Sequence, residues 1–101
     1  MGWASNYIAD LQTGKTVSFR PRGNSMVPKI NSGDLCTVKP YTSTHVLAKG
    51  DIVLCKVNGT QYLHLVTGVR SNQVQISNNK GHVNGWTSLS NIYGVLTSVV
   101  P

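Results

Sequence analysis

Ser25 and His64 are the residues of this chain whose types and settings together could do chemistry. Ser25 sits in Arg22-Gly23-Asn24-Ser25-Met26-Val27-Pro28, a tight turn containing glycine, and His64 in the β-rich run Gln61-Tyr62-Leu63-His64-Leu65-Val66. A serine hydroxyl is a poor nucleophile until a neighbouring base takes its proton. It must also stand where its own backbone N–H can help to hold an oxyanion. Gly23 permits a tight approach and Pro28 biases Val27 away from helix, so Ser25 is expected on a sharp bend leaving a strand. A neutral imidazole accepts a serine proton near pH 7 without the deep burial that a lysine base requires. Together the two residues suggest a serine hydrolase acting on peptides. The plain alternatives are a loop serine bonded within its turn and a half-buried strand histidine bonded to a backbone carbonyl.

The rest of the chain must position these two side chains. Residues 3–12 place Trp3, Tyr7, Ile8 and Leu11 at helical spacing, and Thr13-Gly14 would end that helix. From residue 16 onward the pattern changes to short β-rich runs at 16–19, 35–38, 51–57, 61–66, 74–76 and 92–100. Turn chemistry separates them at 21–23, 31–34 and 49–51, and a polar stretch covers 77–85. The fold expected is mainly β, a folded sheet or barrel with one short amino-terminal helix. Asn58-Gly59 predicts a two-residue hairpin, because a type I′ turn needs φ > 0 at both central residues. Its register would set Val57 against Thr60, Cys55 against Tyr62 and Val53 against His64. Ile52, Leu54, Leu63 and Leu65 would then share the face turned to the core, with His64 on the other face beside Tyr62 and Val66.

The 101 residues are read as one domain, a helical segment at 1–14 followed by a β domain at 15–101. The net charge is +6, glutamate is absent, and Asp10, Asp34 and Asp51 are the only acids. The basic residues are scattered, with Arg20 and Arg22 the closest group and Lys15 nearby, which disfavours a dedicated nucleic-acid stripe. No apolar run is long enough to span a bilayer and the amino terminus lacks a signal-peptide pattern, so a cytoplasmic protein with no membrane partner is expected. Cys36 and Cys55 lie in apolar strand-like runs and read as small buried hydrophobes with free thiols. Neither has a second ligand at zinc-type spacing, and His45 and His82 belong to no motif, so no metal and no other cofactor is expected.

The motifs around these residues carry a resemblance. Gly23-Asn24-Ser25-Met26-Val27-Pro28, followed by Asn31-Ser32-Gly33-Asp34-Leu35, is similar to the nucleophile box of the S24/S26 serine peptidase superfamily, which includes signal peptidases and LexA/UmuD-type repressors. Lys49-Gly50-Asp51-Ile52-Val53 resembles the next box, and Tyr62-Leu63-His64-Leu65-Val66 the strand carrying the general base. The resemblance runs from about residue 17 to 96. It implies a LexA/signal-peptidase-like fold and a Ser25–His64 dyad. Most bacterial members carry lysine at the base position; histidine stands there in signal peptidases of archaea and the endoplasmic reticulum. In the histidine-type members a later Gly-Asp box supplies an orienting aspartate. The stretch Ser77-Asn78-Asn79-Lys80-Gly81-His82 has none, leaving Asn78 or Asn79 to fix the ring with a neutral carbonyl. Gly23 falls at the position that contributes to the oxyanion hole and offers only backbone there.

The resemblance implies a peptidase that binds an extended protein or peptide segment beside the nucleophile, with Met26 and the strand around Phe19 in the cleft. Because the chain shows no membrane anchor and only about 12–15 residues before the first strand, neither preprotein processing nor self-inactivating repression is expected. By analogy, a free-standing member suits a phage or mobile element, and a homodimer through a sheet edge is compatible with the superfamily. Two other functions remain open. The missing aspartate would suit a weak or inactive module that binds a protein partner. The charge with Trp3, Trp86 and four tyrosines would suit single-stranded nucleic acid, though no aromatic and basic residues interleave.

Overall fold

The computed structural model describes residues 2–101. Helix α1 (Ser5–Gln12) begins two residues later than its apolar spacing predicts. Its start is held from outside: the Ala4 N–H donates to Gln61 Oε1 at 2.7 Å, and Gln61 Nε2 donates to Ser5 Oγ at 3.0 Å. The side-chain amide thus satisfies an amide N–H that opens the helix. Ile8 and Leu11 turn inward, where Gly94 leaves room for them. A Cβ at Gly94 would collide with the Val38 side chain and come within 2.9 Å of both Leu11 Cδ1 and the Lys39 carbonyl.

Seven strands follow: β1 (Val17–Phe19), β2 (Leu35–Pro40), β3 (Ile52–Val57), β4 (Thr60–Val69), β5 (Gln73–Ser77), β6 (Val83–Ser88) and β7 (Ile92–Val100). They make one antiparallel sheet in the order β1-β2-β7-β3-β4-β5-β6. The protein is therefore mainly β with one short helix. Asn58 and Gly59 both have positive φ, 50° and 82°, and the β3–β4 register is the one that their turn dictates. Ile52 pairs with Leu65, Leu54 with Leu63, and Val53 with His64.

The sheet buries both of its faces, where the sequence suggested one. Leu54 and Leu63 join Ala4, Ile8, Leu11, Val38 and Met26 in a cluster beneath α1. Val53, Cys55, Val57 and Val66 face the other way and pack with Val74, Ile76, Ile92 and Val95. This second core exists because the sheet curls until β6 returns to β3. Thr87 Oγ1 donates to the Lys56 carbonyl at 2.7 Å, and Gly85 lies against Val57. Both faces of β3 are consequently apolar, as in a strand covered on both sides.

β6 lies partly in the polar stretch 77–85 that the sequence presents as a break. Its pairing with β5, rather than its own composition, makes it a strand. β5 pairs with β4 only from Leu65 to Val69, so β4 from Thr60 to His64 has no neighbour on that side.

Candidate active site

The nucleophile turn is built by plugging its flanks into the core. Gly33 N–H donates to the Pro21 carbonyl at 2.8 Å and closes the neck of the loop between β1 and β2. Within the loop, Met26 and Ile30 are buried in the cluster beneath α1 and joined by a backbone bond of 3.0 Å. Ser25, between this plug and the neck, stays exposed. Asn79, from the β5–β6 turn, grips the loop twice: its N–H donates to the Ser25 carbonyl at 2.9 Å and its Nδ2 to the Val27 carbonyl at 3.0 Å.

His64 comes from β4, buried and stacked on Tyr62 with ring centroids 4.8 Å apart. Its Nε2 is 3.2 Å from Ser25 Oγ. Its Nδ1 is 2.7 Å from Asn84 Oδ1. An amide oxygen only accepts, so Nδ1 carries the proton and Nε2 presents a lone pair to the serine hydroxyl.

Asn84 reaches this position through a bulge. Ile76 pairs with Gly85 but Ser77 pairs with Val83, so Asn84 is the extra residue of β6 and has no partner on β5. Bulges re-aim side chains in this way, and the curl of the sheet supplies the remaining approach toward β4.

Beside the dyad opens a cleft of about 400 Å³. Phe19, Met26 and Ile30 form apolar lining within it, while Tyr7 of α1 and Trp3, just before that helix, stand at its rim. One side is backbone. From the closing pair Val57–Thr60, ladder bonds alternate, so Tyr62 and His64 turn their peptide groups to β3 while Gln61 and Leu63 turn theirs outward. The Gln61 carbonyl on that open edge accepts from Trp3 Nε1 at 3.2 Å.

A serine, a histidine and an amide in hydrogen-bond series, beside an open strand edge, now have a relative. The model of the Peptidase S24-like family matches residues 3–85. The chain belongs to the Peptidase S24-like family. No curated protein matches it. The matched span of this S24-like chain holds Ser25, His64 and Asn84 as well as the cleft residues of α1.

Against this geometry, two expectations for the S24-like site change. The asparagine bonded to His64 is Asn84 rather than Asn78 or Asn79. Asn78 Oδ1 is occupied in its own turn by the N–H groups of Lys80 and His82, each at 2.9 Å, and Asn79 holds the nucleophile loop. Gly23, with φ of 115°, donates its N–H to Ser32 Oγ at 3.2 Å. Among the described residues the Ser25 N–H has no acceptor and is free to donate. Phe19 and Met26 both line the cleft, as side chains that also belong to the core. Sequence reasoning missed Asn84, Gln61 and Trp3 as site residues. The one available signal for Asn84 was the β-forming run Trp86-Thr87 just after it, which extended backwards would have put Asn84 in a strand.

Burial lowers the pKa of His64 below the ordinary histidine value of 6.5; the bond to Asn84 partly opposes this, and the nearby His82 adds to it. Burial thus favours the neutral imidazole, whose Nε2 lone pair faces Ser25. Cys36 and Cys55 are fully buried free thiols, Cys55 pushed up to about 12 by desolvation, and neither faces the cleft.

Proposed function

We propose that this protein is a serine endopeptidase that cleaves an extended polypeptide segment, with Ser25 as nucleophile and His64 as general base. The observation that carries this reading is the series Ser25 Oγ, His64 Nε2, His64 Nδ1, Asn84 Oδ1, with contacts of 3.2 and 2.7 Å.

The segment lies along the outward peptide groups of Leu63, adding a strand to β4 where β5 does not reach. Ser25 Oγ adds to the scissile carbonyl carbon as its proton passes to His64 Nε2. The carbonyl oxygen takes up the negative charge and is held by the Ser25 N–H. The imidazolium then gives its proton to the amide nitrogen, the C–N bond breaks, and the amine product leaves. Water adds to the remaining acyl ester, losing its proton to Nε2. That proton returns to Ser25 Oγ as the ester bond breaks and the acid product is released. Asn84 orients the ring throughout, but its neutral carbonyl stabilises the imidazolium less than a carboxylate would. Slow or narrowly selective turnover follows.

That same neutral partner favours a second reading, a module that binds a protein segment in the cleft without efficient cleavage. One experiment separates them. The wild-type protein and the Ser25→Ala variant are each treated with a fluorophosphonate probe, and new protein amino termini are sought by mass spectrometry after incubation with cell lysate. Labelling on Ser25, with termini absent from the variant, is the peptidase outcome. No labelling and identical termini would remove that reading in favour of the binding module.

A further inference from the structure

The cleft is more than a strand edge beside a dyad. Trp3 and Phe19 meet edge to face at 5.7 Å, Trp3 and Tyr7 at 6.5 Å, and Tyr7 stacks on Phe19 at 4.4 Å with the rings 16° from parallel. All three line the cleft that Ser25 and His64 line. Trp3 nevertheless keeps 51 % of its surface exposed, an indole fixed in place by its bond to the Gln61 carbonyl yet left uncovered. Fixed, exposed aromatic surface around a concavity is a feature of ligand sites rather than of finished cores.

The charge around the cleft is one-sided. Arg20 and Arg22 line it, and no aspartate does. Arg20 Nη1 donates to the Gly33 carbonyl at 2.9 Å, which anchors the guanidinium at the rim with its other N–H groups unspent. The nearby carboxylate of Asp34 is turned to the Asn31 N–H at 2.8 Å.

We propose that the aromatic cluster and the arginine rim select the bound segment: an extended peptide with a large apolar side chain, aromatic by preference, and an acidic side chain two residues away. The spacing follows from strand geometry, because alternate side chains of an extended peptide point to the same side and would meet the same wall of the cleft. The apolar side chain lies against the exposed indole of Trp3, on the part of the cleft that Phe19 and Met26 line from beneath. The acidic one meets Arg20 and Arg22, whose planar guanidinium groups suit carboxylates. This selectivity rests on the cleft's being a peptide groove, as proposed above, and adds which peptides it takes.

Binding to the Ser25→Ala protein, in which no turnover occurs, tests it by fluorescence anisotropy. The probes are three short labelled peptides of otherwise identical sequence, with cores Asp-x-Phe-x-Asp, Asp-x-Ala-x-Asp and Lys-x-Phe-x-Lys. The phenylalanine peptide should bind about tenfold tighter than its alanine counterpart, the ratio expected for burying part of an aromatic ring. Adding Trp3→Ala should remove most of that preference, and Trp3→Phe should restore it in part, which separates loss of the ring from loss of the fold. The aspartate peptide should outbind the lysine peptide several-fold at low salt, less so at high salt, and Arg20→Glu with Arg22→Glu should reverse the order. Equal binding of all three peptides, binding of none by the folded protein, or a phenylalanine preference untouched by Trp3→Ala would each overturn the proposal. The peptidase reading fails separately: discriminating binding without wild-type cleavage keeps the selectivity and sinks the enzyme, and indiscriminate cleavage does the reverse.

Discussion

Asn84 Oδ1 stands 2.7 Å from His64 Nδ1, although β5 separates their strands in the sheet. The contact needs both the curl that returns β6 toward β3 and the bulge that frees Asn84 from pairing. It fixes the tautomer of His64 and so decides whether Ser25 faces a lone pair or a proton.

Replacing either member of the dyad should stop turnover and leave the fold standing. Ser25 is exposed, so Ser25→Ala should change unfolding free energy by no more than about 0.5 kcal/mol. His64→Ala removes a buried, hydrogen-bonded ring and should cost about 1–2 kcal/mol. Fluorophosphonate labelling should fall to background in both, while urea melts report the stability. A fully labelled His64→Ala protein would mean that another base serves Ser25.

On the proposed mechanism Asn84 positions His64, and its variants should separate orientation from charge. Asn84→Ala frees the ring and should lower kcat about 10- to 100-fold with KM little changed. Asn84→Asp supplies the missing carboxylate, so kcat should rise while the acid limb of the pH profile moves upward. A profile unmoved by Asn84→Asp would show that residue 84 does not act through His64.

The direction of the pH dependence follows from the lowered pKa of His64. Protonation fills Nε2, so kcat/KM should climb as pH rises through a single ionisation below 6.5 and be flat above it. Between the lowered value and 6.5 the unfolded chain binds more protons than the native one, so unfolding free energy should fall as pH drops through that window. His82→Gln removes the electrostatic influence that helps to lower the His64 pKa and should shift the limb upward. An acid limb above 6.5 in the wild-type protein would contradict a buried histidine base.

Gly94→Ala tests the seat of α1. The added methyl meets Val38, Leu11 and the Lys39 carbonyl, two of them rigid, and should cost about 1–3 kcal/mol. Gln61→Ala attacks the same element from its start, orphaning the Ala4 N–H, and should cost about 1–3 kcal/mol. Thermal melts give both values, and the quench or shift of tryptophan emission reports whether Trp3 has moved.

Much of this fold is legible in the chain where local chemistry and tertiary pairing agree. Asn58-Gly59 can make one kind of turn, and that turn alone sets His64 opposite Val53. Met26 is legible as a cleft residue beside Ser25, whereas its burial together with Ile30 as the anchor of that loop emerges only in the fold. Legibility ends where long-range pairing overrides composition. Val83-Asn84-Gly85 has a turn's residues and becomes strand through β5, and a bulge falls there that no periodicity announces. Apolar alternation on the β3–β4 hairpin indicates one buried face, whereas the curl of the sheet buries the second.

The double grip of Asn79 on the nucleophile loop has one more consequence. The hairpin of β5 and β6 holds both halves of the chemistry, Ser25 through Asn79 and His64 through Asn84, while the aromatic wall of the cleft comes mainly from α1 and β1. On the proposed reading, the aromatic part of the cleft wall is thus built apart from the hairpin that aligns the dyad, whereas Arg20, Arg22 and Met26 belong to the nucleophile loop and its approach. If the cleft selects peptides as proposed, changes at Trp3 and Tyr7 should alter the preferred apolar side chain while leaving the Ser25–His64–Asn84 contacts in place.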